Sequence, residues 1–157
     1  MSGLYGERIG CASVMCQSPE IAKRVQTQLN GVIRPMYSNP PRHGMEIVKF
    51  VLTDPKNFAS WEQECKKMSG RINEMRTALR KQLEDDKVKS PTGTDWSHIT
   101  SQIGMFSFTG LSVKQAQMCR EQESVYLLDS GRISMAGLNQ SNVKFVANAF
   151  KTVIDKY

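Results

Sequence analysis

No apolar run in these 157 residues approaches the roughly 20 needed for a membrane-spanning helix, so no membrane role is expected. The first residues, Met-Ser-Gly-Leu-Tyr-Gly-Glu-Arg, lack the basic-then-apolar layout of a secretory leader, which argues against secretion. Cysteine is sparse: Cys11, Cys16, Cys65 and Cys119 follow no two-residue zinc or redox spacing and read as reduced thiols of an intracellular protein. His43 and His98 are the only histidines, too few to support a Cys/His metal centre. Aromatic residues make up 8% and form no RNA-binding signature. The net charge of +6 is spread along the chain among 15 acidic residues, which fits a solvated basic face better than a nucleic-acid footprint. Internal repeats and low-complexity stretches are missing as well.

The length suits one domain with a real core. Gly3-Leu-Tyr-Gly-Glu-Arg-Ile-Gly10 places three glycines in eight residues, a pattern of turns and close backbone approach. Ile9–Cys16 has the small and β-branched character of a buried strand, though no hairpin partner lies nearby. Ser18-Pro19-Glu20 is a helix start, and Ile21, Ala22, Val25, Leu29 and Val32 extend it to Ile33. A shorter helix is expected from Gly44 to about Leu52. Thr53-Asp54-Pro55 opens another, in which Phe58, Trp61, Cys65, Met68, Ile72, Met75, Leu79 and Leu83 recur at steps of three and four. That predicts a helix of roughly thirty residues, about 45 Å long. Its Lys66, Lys67, Arg71, Arg76, Arg80 and Lys81 read as a solvated face. After a polar loop at Lys87–Thr94 the pattern changes. Short strands are expected within Gly104–Gly110, at Val125–Leu128 and at Arg132–Met135, with helices at Ser112–Gln122 and, capped by Ser141, near the C-terminus. In the last helix Val143, Val146, Ala147, Phe150, Val153 and Ile154 would form the buried face. The order gives an α+β layer following a long helix.

The segment Gly31–His43 holds three of the six prolines and is expected not to be helical. Arg34 precedes Pro35 and Asn39 precedes Pro40, so both are expected in extended or turn geometry. The stretch reads in two ways: a connector whose prolines stop two helices, or a stiff loop holding Arg34, Tyr37, Ser38 and Asn39 for an anionic ligand. Two further arginines stand at unusual backbone, Arg8 among glycines and Arg132 after Gly131. Each alone reads as a surface ion pair. Together, three rigid guanidinium forks suit a ligand with several oxyanions.

Gly-Leu-Tyr-Gly-Glu-Arg-Ile-Gly, Arg-Pro-Met-Tyr-Ser-Asn-Pro-Pro, Gln-Ile-Gly-Met-Phe-Ser-Phe-Thr-Gly-Leu and Gly-Arg-Ile-Ser-Met-Ala-Gly-Leu follow one another along the chain. In that order they resemble the aspartate aminotransferases, fold-type I enzymes that use pyridoxal 5'-phosphate and work as homodimers. The resemblance runs over essentially the whole sequence. It implies that Arg8 binds the cofactor phosphate and that Arg132 clamps the substrate α-carboxylate with Phe106 packed beside it. Arg34 would hold the distal carboxylate of aspartate or glutamate in the neighbouring subunit's site, which Ser38 and Asn39 would line. The implied partners are dicarboxylic amino and keto acids, with neither nucleic acid nor membrane. The implied compartment is the mitochondrial matrix or the cytoplasm.

The resemblance also places the Schiff-base lysine one position before Met1, so no catalytic residue in the strict sense is expected among these residues. Lys23 and Lys49 sit on helices with an ordinary solvated role and would not replace it. The resemblance thus makes the chain a carboxyl-terminal portion. Residues 1–44 would be a remnant of the large cofactor-binding domain (strand, helix and proline-rich loop), and residues 45–157 the small domain with its long connecting helix. The α+β / α/β fold class follows, and the isolated chain is expected to be inactive. On the residues alone, a non-catalytic basic binding module and a helical interaction module built on Phe58–Leu83 remain open.

Overall fold

The computed structural model describes residues 3–93 and 95–156. The elements run as a 3-10 turn (Tyr5–Glu7), α1 (Pro19–Met36), α2 (His43–Thr53), α3 (Pro55–Asp85) and α4 (Ser97–Ser101). Then come β1 (Phe106–Phe108), α5 (Val113–Glu123), β2 (Arg132–Ser134), a second 3-10 turn (Met135–Gly137) and α6 (Val143–Asp155). The chain divides into two compact units, Met1–Cys65 and Lys66–Tyr157, with the division inside α3.

In the Met1–Cys65 unit, α1 starts where Ser18 predicts: its Oγ accepts a hydrogen bond from the Ile21 amide at 3.3 Å, and Pro19 follows the cap. The helix then runs on through Arg34 and Pro35 to Met36, so the expectation that Gly31–Met36 is non-helical is corrected. Proline supplies a helix-compatible φ, but it lacks an N–H and its ring crowds the carbonyl four residues back. One residue from the end of α1 that loss removes a single ladder bond, and the Tyr37 and Ser38 amides close the end on the Ile33 carbonyl. Arg34 therefore sits in the last helical turn, not in extended chain. The strand expected at Ile9–Cys16 is also absent; the stretch has no regular structure. A lone strand leaves its own amides and carbonyls unpaired, and the two strands of the described residues pair with each other far along the chain.

The Lys66–Tyr157 unit contains the core. Leu79 and Leu83 of α3, Trp96, Ile99, Met135 and Phe150 are sealed from solvent. α5 opens on a full capping box, with Ser112 Oγ accepting from the Gln115 amide and Gln115 Oε1 from the Ser112 amide. α5 packs on α6, whose Val143, Val146, Ala147, Phe150 and Val153 are buried as the spacing predicts. Ser141 does not cap α6. No side-chain oxygen caps α6; Asn139 Oδ1 instead braces the turn before it, accepting from the Ser141 and Asn142 amides and from Ser141 Oγ. The sheet is a two-stranded antiparallel pair with Phe106 opposite Ser134, Ser107 opposite Ile133 and Phe108 opposite Arg132. Val125–Leu128 is not a strand. Its side chains alternate in and out, but its backbone builds no ladder: the Val125 amide donates to the Cys119 carbonyl, Arg120 Nη1 donates to the Leu127 carbonyl, and only the Leu128 amide reaches β2, at the Arg132 carbonyl.

Candidate functional site

Period-two alternation decides what the β1–β2 pair offers. Ser107 and Ile133 face the core, buried to 2% and 6% exposure, which sends Phe106, Phe108 and Arg132 to the opposite face. There the Arg132 guanidinium carbon lies over the Phe106 ring, 4.4 Å from its centroid, a cation–π contact that restrains the fork from one side and suits it to an oxyanion on the other. Arg132 and Phe106, which the resemblance sets side by side, lie in contact here. A shallow pocket of ≈ 370 Å³ lined by Phe106, Tyr126, Leu128, Arg132 and Ser134 opens beside them.

The backbone delivering Arg132 is tightly held. Gly131 has φ +77°, and a Cβ there would stand 2.9 Å from the Leu111 carbonyl oxygen, so the position needs glycine on both counts. Its carbonyl accepts from the Thr109 amide (3.0 Å) and from Thr109 Oγ1 (2.8 Å), and Thr109 is fully buried.

The other candidates lie in the Met1–Cys65 unit. Arg8 follows the 3-10 turn in left-handed backbone, φ 51°, with its guanidinium carbon 5.4 Å from the Tyr5 ring centroid. The turn is seated on α2: Gly44 is buried, and a Cβ on it would come within 2.9 Å of Glu7 Cβ. Arg34 is exposed in the last turn of α1. Ser38, also left-handed at φ 58°, and Asn39 are exposed in the bend that follows. An apolar cavity of this unit, ≈ 210 Å³, is lined by Leu4, Ile47, Val48, Val51, Leu52 and Trp61. It holds no charged side chain and is no place for an oxyanion.

The expected solvated face of α3 is corrected at Arg76 and in part at half-buried Arg80, while Arg71 is exposed as expected but bonded. Arg71 donates to the Ala136 and Leu138 carbonyls, each at 2.9 Å. Arg80 bonds Glu84 Oε1 at 2.7 Å and Thr100 Oγ1 at 2.9 Å. Arg76 is 2% exposed and bonded to four acceptors of the segment leading into β1. Burial pushes its guanidinium below the ordinary arginine range, yet an arginine stays charged across ordinary pH. A signal was present: Ile72, Arg76, Leu79 and Leu83 are spaced four, three and four, so Arg76 shares the apolar stripe. Gln102 and Ser107, which help hold β1, carry no comparable signal.

Among the described residues, no three His, Cys, Asp or Glu side chains group as metal ligands, and Cys11, Cys16 and Cys119 are free thiols.

Comparison with known proteins covers nearly the whole chain. Residues 1–150 match the family model "Aminotransferase class I and II". The mitochondrial aspartate aminotransferase of Arabidopsis thaliana is 46% identical over 151 residues, 96% of this chain and 34% of the relative. The cytoplasmic aspartate aminotransferase of Schizosaccharomyces pombe is 49% identical over 152 residues, 97% of this chain and 36% of the relative. Among solved structures, the aromatic-amino-acid aminotransferase of Burkholderia pseudomallei, covalently bound to pyridoxal phosphate, superposes with a TM-score of 0.88 at 44% identity. It is matched over 96% of this chain and 37% of its own. The chain spans about a third of the length of the curated relatives it matches. A mostly helical chain with one small antiparallel pair, matched from its first residue to its 150th, belongs to the class I and II aminotransferases.

Proposed function

We propose that these residues serve an aspartate aminotransferase, which moves an amino group between L-aspartate and 2-oxoglutarate to give oxaloacetate and L-glutamate. The observation that carries the reading is Arg132, lying over the Phe106 ring and restrained from that side. A planar cation held in that way binds a carboxylate through two parallel N–H···O bonds and fixes its orientation. Arg132 thus grips the α-carboxylate. Arg34 supplies the second cation, for the distal carboxylate, reaching the neighbouring subunit's site in a homodimer, with Ser38 and Asn39 along its rim. Arg34 gives the distal carboxylate of aspartate or glutamate a partner that an aromatic substrate would leave unused.

Arg8 is the third cation, and its geometry suits a cofactor phosphate. The guanidinium is exposed, steadied by the Tyr5 ring, and carried on a turn seated against Gly44. Pyridoxal 5'-phosphate, when bound, supplies an electron sink for charge developing at the substrate α-carbon. The residues present bind and orient; the lysine that moves the proton is assigned by family resemblance to the position before Met1. We therefore propose residues 1–44 as part of the cofactor-binding domain and 45–157 as the small domain. The relatives support a mitochondrial or cytoplasmic setting.

The test is turnover. Supplied with pyridoxal phosphate, aspartate and 2-oxoglutarate, the 157-residue chain alone is expected to yield no oxaloacetate, and a protein that also carries the upstream lysine-bearing portion is expected to yield it. Turnover by the chain alone overturns the assignment of the proton carrier. A completed enzyme that accepts phenylalanine but not aspartate overturns the substrate.

A further inference from the structure

Arg76 is the least expected charged residue in the molecule. It projects from α3 into the core of the Lys66–Tyr157 unit, 2% exposed, and no carboxylate pairs with it among the described residues. Nη1 donates to the Ile99 carbonyl at 2.6 Å and to Ser107 Oγ at 3.2 Å. Nη2 donates to the Gly104 carbonyl at 2.9 Å and to the Phe106 carbonyl at 2.6 Å. Only Nε lacks an acceptor among the described residues. A buried cation costs a great deal of solvation, so a fold that keeps one gains something an apolar side chain of similar size would not give.

What it gives here is position. All four acceptors belong to the nine residues from Ile99 to Ser107, which end on β1. The hold continues: Ser107 Oγ donates to Gln102 Oε1 at 2.9 Å, and the same oxygen accepts from the Phe108 amide at 2.7 Å. Phe106 is therefore fixed through its own carbonyl and through the residue after it. Its ring, on the outer face of the strand, is the surface on which the Arg132 guanidinium rests. A planar fork grips a carboxylate well only when its plane is set, because a displacement on the order of 1 Å weakens both bonds together.

We propose that Arg76 is a positioning residue for Arg132: its guanidinium holds the Phe106 backbone from the core side, and the Phe106 ring sets the orientation of Arg132 on the site side. The proposal deepens the reading of Arg132 as the carboxylate clamp and rests on it for its functional half. Arg76 itself touches no substrate. Lysine cannot replace it, since an ammonium lacks the planar fork that reaches four acceptors at once.

The first test is spectroscopic and uses the 157-residue chain as it stands. Protons of the Arg132 guanidinium lie over the Phe106 ring, so their resonances are expected upfield of free arginine, and Arg132→Lys identifies them by their disappearance. In Arg76→Lys the upfield shift is expected to collapse; if it stays at its wild-type value, the proposal is overturned. Should Arg76→Lys not fold, Ser107→Ala decides. It leaves Arg76 in place, cuts the side-chain link to β1 and is expected to reduce the shift, and an unchanged shift again overturns the proposal.

The second test uses the holoenzyme that contains these residues. Arg76→Lys is expected to raise KM for aspartate and for a monocarboxylic amino acid alike, each about tenfold, with kcat held, because a grip common to ground and transition states is weakened. A loss of kcat with KM unchanged is the mark of a merely structural role and overturns the functional half. Arg132→Lys is assayed beside it. If that variant leaves both KM values unchanged, the clamp reading fails, while the spectroscopic result still decides whether Arg76 positions Arg132.

Discussion

Helices α1 and α6 both gather their apolar side chains along one face, yet α6 buries Phe150 and Val153 completely while α1 leaves Ile21, Leu29 and Val32 between 40% and 57% exposed. The contrast extends to their units. Among the described residues, Gly44 is the one buried residue of the Met1–Cys65 unit, whereas Lys66–Tyr157 carries an unbroken core from Ile72 to Val153. Helical spacing reports that a helix has a face to bury; a packed neighbour is a separate fact. Where the neighbours are present, as with α5 against α6, the stripe becomes a core.

The strongest way to break that comparison is to cut the same kind of side chain from both helices. Phe150→Ala is expected to destabilise the Lys66–Tyr157 unit by about 3–5 kcal/mol, since a sealed ring leaves a cavity. Leu29→Ala in α1 is expected to change stability by under about 0.5 kcal/mol, as at other exposed sites. Urea denaturation read by hydrogen exchange, which resolves the two units, checks both; equal effects would erase the distinction.

A narrower comparison uses two glycines at positive φ. Gly131→Ala meets the Leu111 carbonyl oxygen at 2.9 Å besides its backbone strain, and Gly3→Ala, at φ +67°, meets nothing within 4 Å. The first is expected to cost more than the second, which carries only the strain of about 1 kcal/mol. The Arg132 resonances are expected to move with the first and stay with the second.

Smaller still are the caps. Ser18 and Ser112 accept the N3 amide at the same 3.3 Å, so geometry alone predicts equal losses on replacement by alanine, about 1 kcal/mol of helix stability. Ser112→Ala is expected to lower the cooperative unfolding midpoint of its unit, because α5 belongs to the core. Ser18→Ala is expected to appear only as faster amide exchange in the first turn of α1.

The subtlest effect is a pH slope. Burial, with the Glu123 charge second, pushes the Cys119 thiol up to about 11 from an ordinary 9.0. Between those values the folded state keeps the proton and the unfolded chain releases it, so stability falls as pH rises through the window. Cys119→Ala is expected to flatten that slope. At pH 8, alkylation is expected to consume exposed Cys11 long before Cys119.

Much of the architecture was legible in the residues. The long α3, the box opening α5, the buried face of α6 and the glycine turn before Arg132 each follow from local spacing and turn chemistry. The errors share a physical origin. Ile9–Cys16 and Val125–Leu128 have strand-like composition, but a strand exists only with a partner, and pairing is not a local property. Pro35 reads as a breaker, and only its place beside the end of α1 makes it tolerable. At the site, the family resemblance pairs Phe106 with Arg132, whereas composition and spacing do not; their contact follows from register, which sets Phe108 opposite Arg132 and Phe106 on the same face two residues away. At Arg76 the charge suggests solvent, but the place in the apolar stripe sets its burial.

That arginine has one more consequence. Its acceptors are three carbonyls and a hydroxyl, none of which takes up a proton as the medium sours. The surface pair Arg42–Glu46 depends on a carboxylate and dissolves once that group is neutralised. Acid therefore finds nothing to discharge where α3 meets β1, and dissolved ions find no opposite partner to screen. As conditions turn acidic or briny, this junction is fitted to outlast an exposed ion pair of that kind.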